Sequence, residues 1–320
     1  MRLNKEIECN RELRSIIQNS LKKHSDRNYD CVVMFTGGKD STYLLWIMKN
    51  VYKLNVIALT IDNGFCYEKM LDYADEMCRR MDVEHYRIRY GIDIFKQMYQ
   101  SMFSEHEIFK EEYRNNNYVC MICGYLLWKI AVKEAEKLNI PIVVLGVDPA
   151  QISCLGIISG DITSRSNRIL SKAYSMGYLK TQKLLSRSNA YQNNKNYKKF
   201  IDELCGAGLS VETIFPFLYL DYNVEDIKSF IKEKVRWDEK RMIHSDKRYI
   251  SSGCRIVEAL HDISALGVID LNEEAYYGAL KKVGAIGDVY HPREQTNTMS
   301  LENLVFKEWD MKEYVKKIYK

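Results

Sequence analysis

A short apolar segment that runs directly into a glycine turn is the feature that most constrains this chain. The apolar segment is Cys31-Val32-Val33-Met34-Phe35, and Thr36-Gly37-Gly38-Lys39-Asp40-Ser41 follows it. A run this short, rich in β-branched residues and ended by glycines, is typical of a buried strand. The next ten residues, 41–50, carry apolar side chains on most helical faces. The sequence therefore predicts a strand, a tight turn and a helix in immediate succession.

Strand and helix patterns continue to alternate after this unit. We predict further strands at 55–61, 85–88, 141–146 and 213–218, and further helices at about 68–81, 124–137 and 223–234. This alternation indicates an α/β fold, with a parallel twisted sheet that carries helices on both faces.

The domain organisation follows from where this pattern begins and fades. We expect an N-terminal helical segment over 1–28, the α/β domain over 29–220, and a helical C-terminal region over 221–320. Residues 155–210, rich in Ser, Asn, Lys, Arg and Tyr, are predicted to form an irregular or helical insertion within the α/β domain.

Composition excludes several classes of protein. The chain of 320 residues is 46% hydrophobic and 28% charged, which is typical of a folded globular protein. It contains no apolar run near the length of about 18 residues that a membrane span needs, and its charged N-terminus does not resemble a secretory signal. A cytoplasmic protein is therefore expected, so the nine cysteines favour thiols or metal ligands over a disulfide framework. The net charge of +4 is too modest to indicate a nucleic-acid partner by itself.

The glycine turn has the chemistry of an anion site. Two glycines allow the backbone to approach a phosphate closely, and the helix N-terminus directs free N–H groups towards it. Lys39 adds a positive charge, Thr36 and Ser41 add hydroxyls, and Asp40 could cap the helix or hold a metal ion. The spacing differs from both the nucleotide-hydrolase loop and the dinucleotide fingerprint.

The turn resembles the Ser-Gly-Gly-Lys-Asp-Ser loop of the N-type ATP pyrophosphatases, the PP-loop superfamily, with Thr36 in place of the first serine. This resemblance covers about 30–150. It implies a PP-loop, adenine nucleotide α-hydrolase-like fold that binds ATP and Mg²⁺ at residues 36–41. It also implies cleavage of ATP between the α and β phosphates and transfer of AMP to a carbonyl oxygen. Lys39 and Asp40 would then be catalytic.

Two other strand ends are predicted to complete the nucleotide site, because ligands of open parallel sheets bind at the carboxyl edge. Asp62, after the second strand, could bond the ribose or adenine. Gly146 and Asp148, after the fourth strand, could lie beside the phosphates or the Mg²⁺ ion. The alternative for Asp148 is a turn-forming role before Pro149.

A Cys-x-x-Cys pair, Cys120 and Cys123, stands at the predicted start of the 124–137 helix, where thiolates are favoured. The best third ligand is Cys254, which follows a glycine. Two or three such thiolates can hold zinc or an iron–sulfur cluster. Other interpretations stay open: a dithiol for sulfur transfer without metal, zinc completed by His244, or thiols of no consequence.

The cysteine spacing also resembles the iron–sulfur branch of the tRNA thiolases. That resemblance implies that Cys120, Cys123 and Cys254 hold a 4Fe–4S cluster, with one iron left open to present a sulfide to an adenylated carbon. The terminal Cys-x-x-Cys ribbons of many such enzymes are absent from this sequence.

These features predict an ATP-dependent sulfurtransferase that forms a thioamide or thiocarbonyl. Its partners would be a sulfur donor and a small-molecule or carrier-bound amide, with tRNA as another candidate acceptor and a homodimer as a candidate assembly. Basic and aromatic side chains of the insertion could bind such a phosphorylated partner, or they form a solvated helix face. They include Arg165, Arg168, Lys172, Tyr174, Lys180, Lys183, Arg187 and the 191–199 segment.

Two other functions compete with sulfur transfer. The segments around the turn and Thr60-Ile61-Asp62-Asn63-Gly64-Phe65 also resemble the N-acetyl sugar amidotransferases, which would take ammonia from a partner glutaminase. A non-catalytic nucleotide-sensing module is the third alternative, which AMP and pyrophosphate formation would exclude.

Overall fold

The computed structural model describes residues 9–22, 24, 26–90, 92–105, 107–109, 118–154, 166–206, 210–241, 253–257 and 281–282. Its centre is one sheet of five parallel strands in the order β3-β2-β1-β4-β5. The strands are β1 (Cys31–Met34), β2 (Val56–Asp62), β3 (Glu84–Arg89), β4 (Ile142–Val144) and β5 (Glu212–Ile214). Because all strands are parallel, the carboxyl ends of β1, β2 and β4 lie at the same edge of the sheet. The strand order reverses between β1 and β4, and sheets of this kind bind ligands at such a point.

Helices connect these strands. They are α1 (Arg11–Leu21), α2 (Lys39–Asn50), α3 (Glu68–Arg80), α4 (Ile92–Ser104), α5 (Tyr118–Lys137), α6 (Pro149–Cys154), α7 (Asn167–Leu185), α8 (Asn189–Asn193), α9 (Lys195–Glu203) and α10 (Val224–Val235). Two short 3₁₀ turns cover Pro216–Leu218 and Glu239–Arg241. No helix of the described residues is both long and apolar enough to cross a membrane.

The sheet separates two hydrophobic cores. Side chains alternate across a strand, so Val32 enters one core while its neighbours Cys31 and Val33 enter the other. The first core contains residues of α4, α5, α7 and α9, and the second contains residues of α1, α2, α3 and α10. Burial on both faces explains why the strands are almost continuously apolar. The predicted α/β fold with helices on both faces is confirmed.

The described part of the predicted 155–210 insertion, residues 166–206, is mainly helical, which is one of the two predicted alternatives. It packs α7 and α9 into the first core.

Other predicted elements differ from the structure. The last strand ends at Ile214, because Pro216 starts a 3₁₀ turn instead of continuing the ladder. Helix α4 was not predicted. Helix α5 begins at Tyr118, so both cysteines of the Cys-x-x-Cys lie inside it. Most of the predicted helical tail lies outside the described residues.

Candidate active site

The glycine turn after β1 has the backbone geometry that its sequence predicts. Gly37 has φ +74°, a left-handed conformation that strains residues with a side chain. A Cβ atom on Gly37 would also lie 3.2 Å from the Cα of Ala74 in α3. Gly38 caps helix α2 without a side-chain hydrogen bond to the first turn. The backbone N–H groups of the α2 N-terminus are therefore presented by a turn that only glycine fits without strain.

The hydroxyl groups of Thr36 and Ser41 tie this turn to the helix. Ser41 Oγ donates to the carbonyl of Gly38 at 3.2 Å and lies 3.3 Å from Thr36 Oγ1. Thr36 Oγ1 in turn accepts from the Gly38 N–H at 3.4 Å. These hydrogen bonds within residues 36–41 hold the turn in its conformation without a ligand.

Lys39 is held at the first turn of α2 by two partners. Its Nζ lies 2.6 Å from Asp40 Oδ2 and 2.8 Å from the hydroxyl of Tyr222. The Tyr222 hydroxyl also donates to Asp40 Oδ1 at 3.0 Å. Lys39 is only 8% exposed, so its charge is held at the N-terminal end of α2 rather than left free in solvent.

A tryptophan beyond α10 closes the turn from the other side. Trp237 is buried, and its indole N–H donates to the Gly37 carbonyl at 3.0 Å. Together with Tyr222, it brings the chain after β5 into contact with the turn. Neither residue was predicted. Tyr222 could have been found from its position just before the acidic first turn of α10. No feature of the sequence indicates a role for Trp237.

Two of the other predicted ATP residues have structural partners. Asp62 is buried, accepts from the Gly64 N–H at 2.8 Å, and has Oδ2 3.6 Å from Nε of Arg89. Asp148 is buried and caps α6, since its Oδ1 accepts from the N–H groups of Ala150 at 2.8 Å and Gln151 at 2.9 Å. Their roles towards ATP or Mg²⁺ stay predictions.

Gly146 faces helix α2, the helix of the turn. A Cβ atom there would lie 3.2 Å from Leu44 Cδ1 and 3.9 Å from the Cβ of Asp40. The structure therefore brings the β4 end beside the start of α2, as the sequence predicts. Contact with phosphate remains a prediction.

The three predicted cysteines come to one place. Burial, followed by the nearby thiols of Cys254 and Cys123, raises the pKa of Cys120 well above its ordinary value. Burial likewise raises the pKa of Cys123 to about 12, against the hydrogen bond from Tyr99 and with a further contribution from Cys254. Cys254, distant in sequence, forms a bridge with Cys66. Asn63 contacts both Cys66 and Cys123, so Cys254 lies near the Cys-x-x-Cys. The expectation of easily formed thiolates was wrong, because the desolvation of these sulfurs outweighs the helix N-terminus.

A tyrosine and an asparagine anchor this cysteine group to the sheet. The buried Tyr99 of α4 donates its hydroxyl hydrogen to Cys123 Sγ at 2.9 Å. Asn63, directly after β2, donates through Nδ2 to the Tyr99 oxygen at 3.1 Å. Asn63 Oδ1 accepts from the Cys66 thiol at 3.7 Å. The group therefore lies at the carboxyl edge of β2, and β2 pairs with β1, which leads into the glycine turn.

Cys66 is a fourth cysteine of this group, and it was not predicted as a site residue. It forms an antiparallel bridge with Cys254. Burial raises its pKa, and the charges of Cys254, Asp62 and Cys123 raise it further. We call Cys66, Cys120, Cys123 and Cys254 the cysteine group.

Among the residues that the structure describes, no three His, Cys, Asp or Glu side chains are already arranged to hold a metal ion. The donor chemistry nevertheless suits a soft metal, since thiolates prefer zinc and iron–sulfur clusters. His244, the alternative zinc ligand, lies outside the described residues.

Comparison with known proteins adds family information. Residues 30–173 match the profile of the family described as "Queuosine biosynthesis protein QueC", a PP-loop family. This segment contains β1, the glycine turn and α2, the elements that form the anion site. The segment around the glycine turn is therefore similar to a PP-loop family.

Individual relatives match this chain over limited segments. An uncharacterised protein of Methanocaldococcus jannaschii is 24% identical over 136 residues, which are 42% of this chain and 44% of that protein. The 7-cyano-7-deazaguanine synthase of Clostridium botulinum is 30% identical over 77 residues, 24% of this chain and 34% of the synthase. The matches thus span less than half of either relative.

Among solved structures, this chain is similar to the tRNA thiolase NcsA of Methanococcus maripaludis, solved with its 4Fe–4S cluster. The identity is 14% and the TM-score 0.37, and the match covers 93% of this chain and 89% of the thiolase.

Some basic side chains of the insertion bind other residues of the same chain. Lys198 of α9 lies 2.8 Å from Asp202 Oδ2 and donates to the Tyr191 hydroxyl at 2.7 Å. Tyr174, predicted to share this surface, is buried in the first core. These contacts favour a solvated helix face for α9, while a role for the α7 cations stays a prediction.

Proposed function

We propose that this protein is an ATP-dependent sulfurtransferase. ATP bound at residues 36–41 activates a substrate carbonyl as its adenylate, and sulfur then replaces the oxygen, with release of AMP and pyrophosphate. The observation that carries the proposal is the chain of contacts beside the end of β2 that links Cys254 through Cys66 and Asn63 to Cys123 of the Cys-x-x-Cys. A sensing module would need no such group of thiols.

The first half-reaction rests on the glycine turn. The substrate oxygen attacks the α-phosphorus, and pyrophosphate leaves with the electrons of the broken bond. Preorganised N–H groups at the start of α2 would stabilise the charge that develops on the phosphate oxygens. Lys39 would add a cation that Asp40 and Tyr222 already hold beside the turn.

Mg²⁺ is proposed as the companion of ATP at this edge of the sheet. Asp148 and Asp40 supply the nearby carboxylates, and carboxylate oxygens together with phosphates are the usual ligands of this ion.

The second half-reaction rests on the cysteine group. Cys120, Cys123 and Cys254 would hold a 4Fe–4S cluster, which when bound supplies an iron site for a sulfide. These residues fit such a cluster by the chemistry of their sulfur donors. Burial raises the pKa of the Cys120 and Cys123 thiols. A bound metal would lower these pKa values, because it stabilises the thiolate form. Tyr99 and Asn63 orient Cys123 towards the end of β2.

Anaerobic purification with metal analysis and a visible spectrum tests this proposal. We expect a brown protein with about four irons per chain, as one 4Fe–4S cluster requires, that loses its colour in Cys254→Ser. Cys78→Ser is the matched control, because Cys78 is buried in α3 and its pKa responds to burial and Asp75 rather than to another thiol. Zinc in place of iron, or a metal-free protein, would overturn the cluster.

The sulfur product provides the second readout. The purified protein, given ATP, sulfide and a pool of carbonyl acceptors that includes total tRNA, should form a product heavier by the difference between sulfur and oxygen. An amide acceptor and tRNA are separated by size before mass analysis. Mass gain by nitrogen instead of sulfur would refute sulfur transfer.

Nitrogen transfer is the second candidate function. Its support is the segment shared with 7-cyano-7-deazaguanine synthase, whose name states a product with a nitrile nitrogen. An ammonia-dependent formation of AMP that persists in Cys254→Ser would favour it over sulfur transfer.

A further inference from the structure

Cys66 and Cys254 face each other across a short antiparallel bridge. The Tyr67 N–H donates to the Gly253 carbonyl at 2.9 Å, and the Arg255 N–H donates to the Phe65 carbonyl at 2.9 Å. Both hydrogen bonds come from the residues that flank the cysteines. Cys66 and Cys254 are therefore a non-hydrogen-bonded pair, the closer of the two kinds of antiparallel pair.

This kind of pair suits a disulfide. Its Cα atoms are about 4.5 Å apart and its two side chains share one face of the ladder. Disulfides span Cα separations of about 4.4–6.8 Å. Both residues carry a thiol and are partly exposed, so a small oxidant can approach them.

The two thiols also belong to the cysteine group rather than to an isolated surface. Cys254 is joined to Cys66 by the bridge. The Cys66 thiol donates to Asn63, whose amide nitrogen lies 4.0 Å from Cys123 Sγ. A change at Cys66 is therefore expected to affect Cys123 and the rest of the cysteine group through Asn63.

We propose that Cys66 and Cys254 form a redox-active dithiol within the sulfur site. A disulfide or azo oxidant takes two protons and two electrons from the two thiols, and the Cys66–Cys254 bond forms. The oxidised pair withdraws Cys254 from Cys120 and Cys123 and fastens residues 253–257 to the loop after β2. Its consequence for sulfur transfer rests on the proposed function, whereas the bond itself rests only on the bridge geometry.

Oxidation of the reduced, metal-free full-length chain with diamide tests the dithiol. Each thiol loses its hydrogen, and the N=N bond of diamide is reduced to a hydrazine. Mass spectrometry of the non-reduced digest should find a linked pair of peptides containing Cys66 and Cys254, in wild type and in the Cys78→Ser control alike. Digests in which Cys66 and Cys254 never link to each other would overturn the dithiol.

The mapping needs no variant of the site, so a folding defect in Cys66→Ser cannot obscure it. Protein that forms the bond but transfers no sulfur to any acceptor refutes the proposed function and leaves the dithiol standing. Protein that transfers sulfur without ever forming the bond refutes the dithiol alone.

Discussion

Replacing Gly37 with alanine should damage the nucleotide turn specifically. The position has φ +74°, and a side chain in that conformation costs about 1–2 kcal/mol. The new Cβ would also lie 3.2 Å from the Cα of Ala74, so α3 or the turn must shift by a few tenths of an ångström. We expect Gly37→Ala to lose about 2 kcal/mol of unfolding free energy, or roughly 4–8 °C in Tm.

The same shift displaces the N–H groups at the start of α2, so ATP affinity should fall at least about tenfold, which corresponds to about 1.4 kcal/mol. Chemical unfolding and isothermal titration with Mg-ATP measure the two effects. Gly124→Ala is the matched control: Gly124 is exposed within α5 with no atom near its Cβ position, so alanine should stabilise by about 0.5–1 kcal/mol. Gly37→Ala with wild-type stability and wild-type ATP affinity would refute the reasoning.

Three further changes probe the same region. Lys39→Met should weaken ATP binding about tenfold or more by titration, since hydrogen bonds to charged groups contribute about 1.5–3 kcal/mol, whereas Lys49→Met at the far end of α2 should not. Tyr222→Phe removes both hydroxyl contacts to Lys39 and Asp40 and should lower the unfolding free energy by about 1 kcal/mol; an unchanged value argues against the contact. Burial lowers the pKa of His85 despite its 2.5 Å contact with Asp75. Wild type should therefore lose stability relative to His85→Gln as pH falls below about 6.5, where the unfolded imidazole gains a proton that the folded one resists; parallel stability–pH curves would contradict this.

His85 illustrates what the sequence could not reveal. It was predicted only as part of a strand, yet its Nε2 lies 2.7 Å from Thr60 Oγ1, and that hydroxyl donates to the Phe35 carbonyl at 2.6 Å. This buried contact supports the residue just before the glycine turn. Side-chain contacts between neighbouring strands depend on register, which a local pattern does not specify.

The local signals in the sequence were sufficient for the strand, turn and helix around residues 31–50. Hydrophobic patterning and glycine placement determine those elements within a few residues, and the sheet confirms them. Cys254 was predicted as the third ligand from the glycine beside it and from a resemblance in spacing, and this role stays a prediction. Cys66 was missed, because its role depends on a bridge to a segment almost two hundred positions away.

The pKa of the Cys-x-x-Cys thiols was predicted in the wrong direction for a related reason. A helix N-terminus is visible in a sequence, but the desolvation that raises the pKa of Cys120 and Cys123 arises from packing against α4 and the residues after β2. The roles of Asp62 and Asp148 remain open to test, since both carboxylates already accept backbone hydrogen bonds.

The nucleotide products of turnover test the central claim most directly. Protein supplied with α-labelled ATP, Mg²⁺, sulfide and the acceptor pool should form AMP and pyrophosphate, and Lys39→Met should form neither. Formation of ADP and phosphate, or AMP formation that is equally fast in Lys39→Met, would contradict an adenylation reaction at this glycine turn.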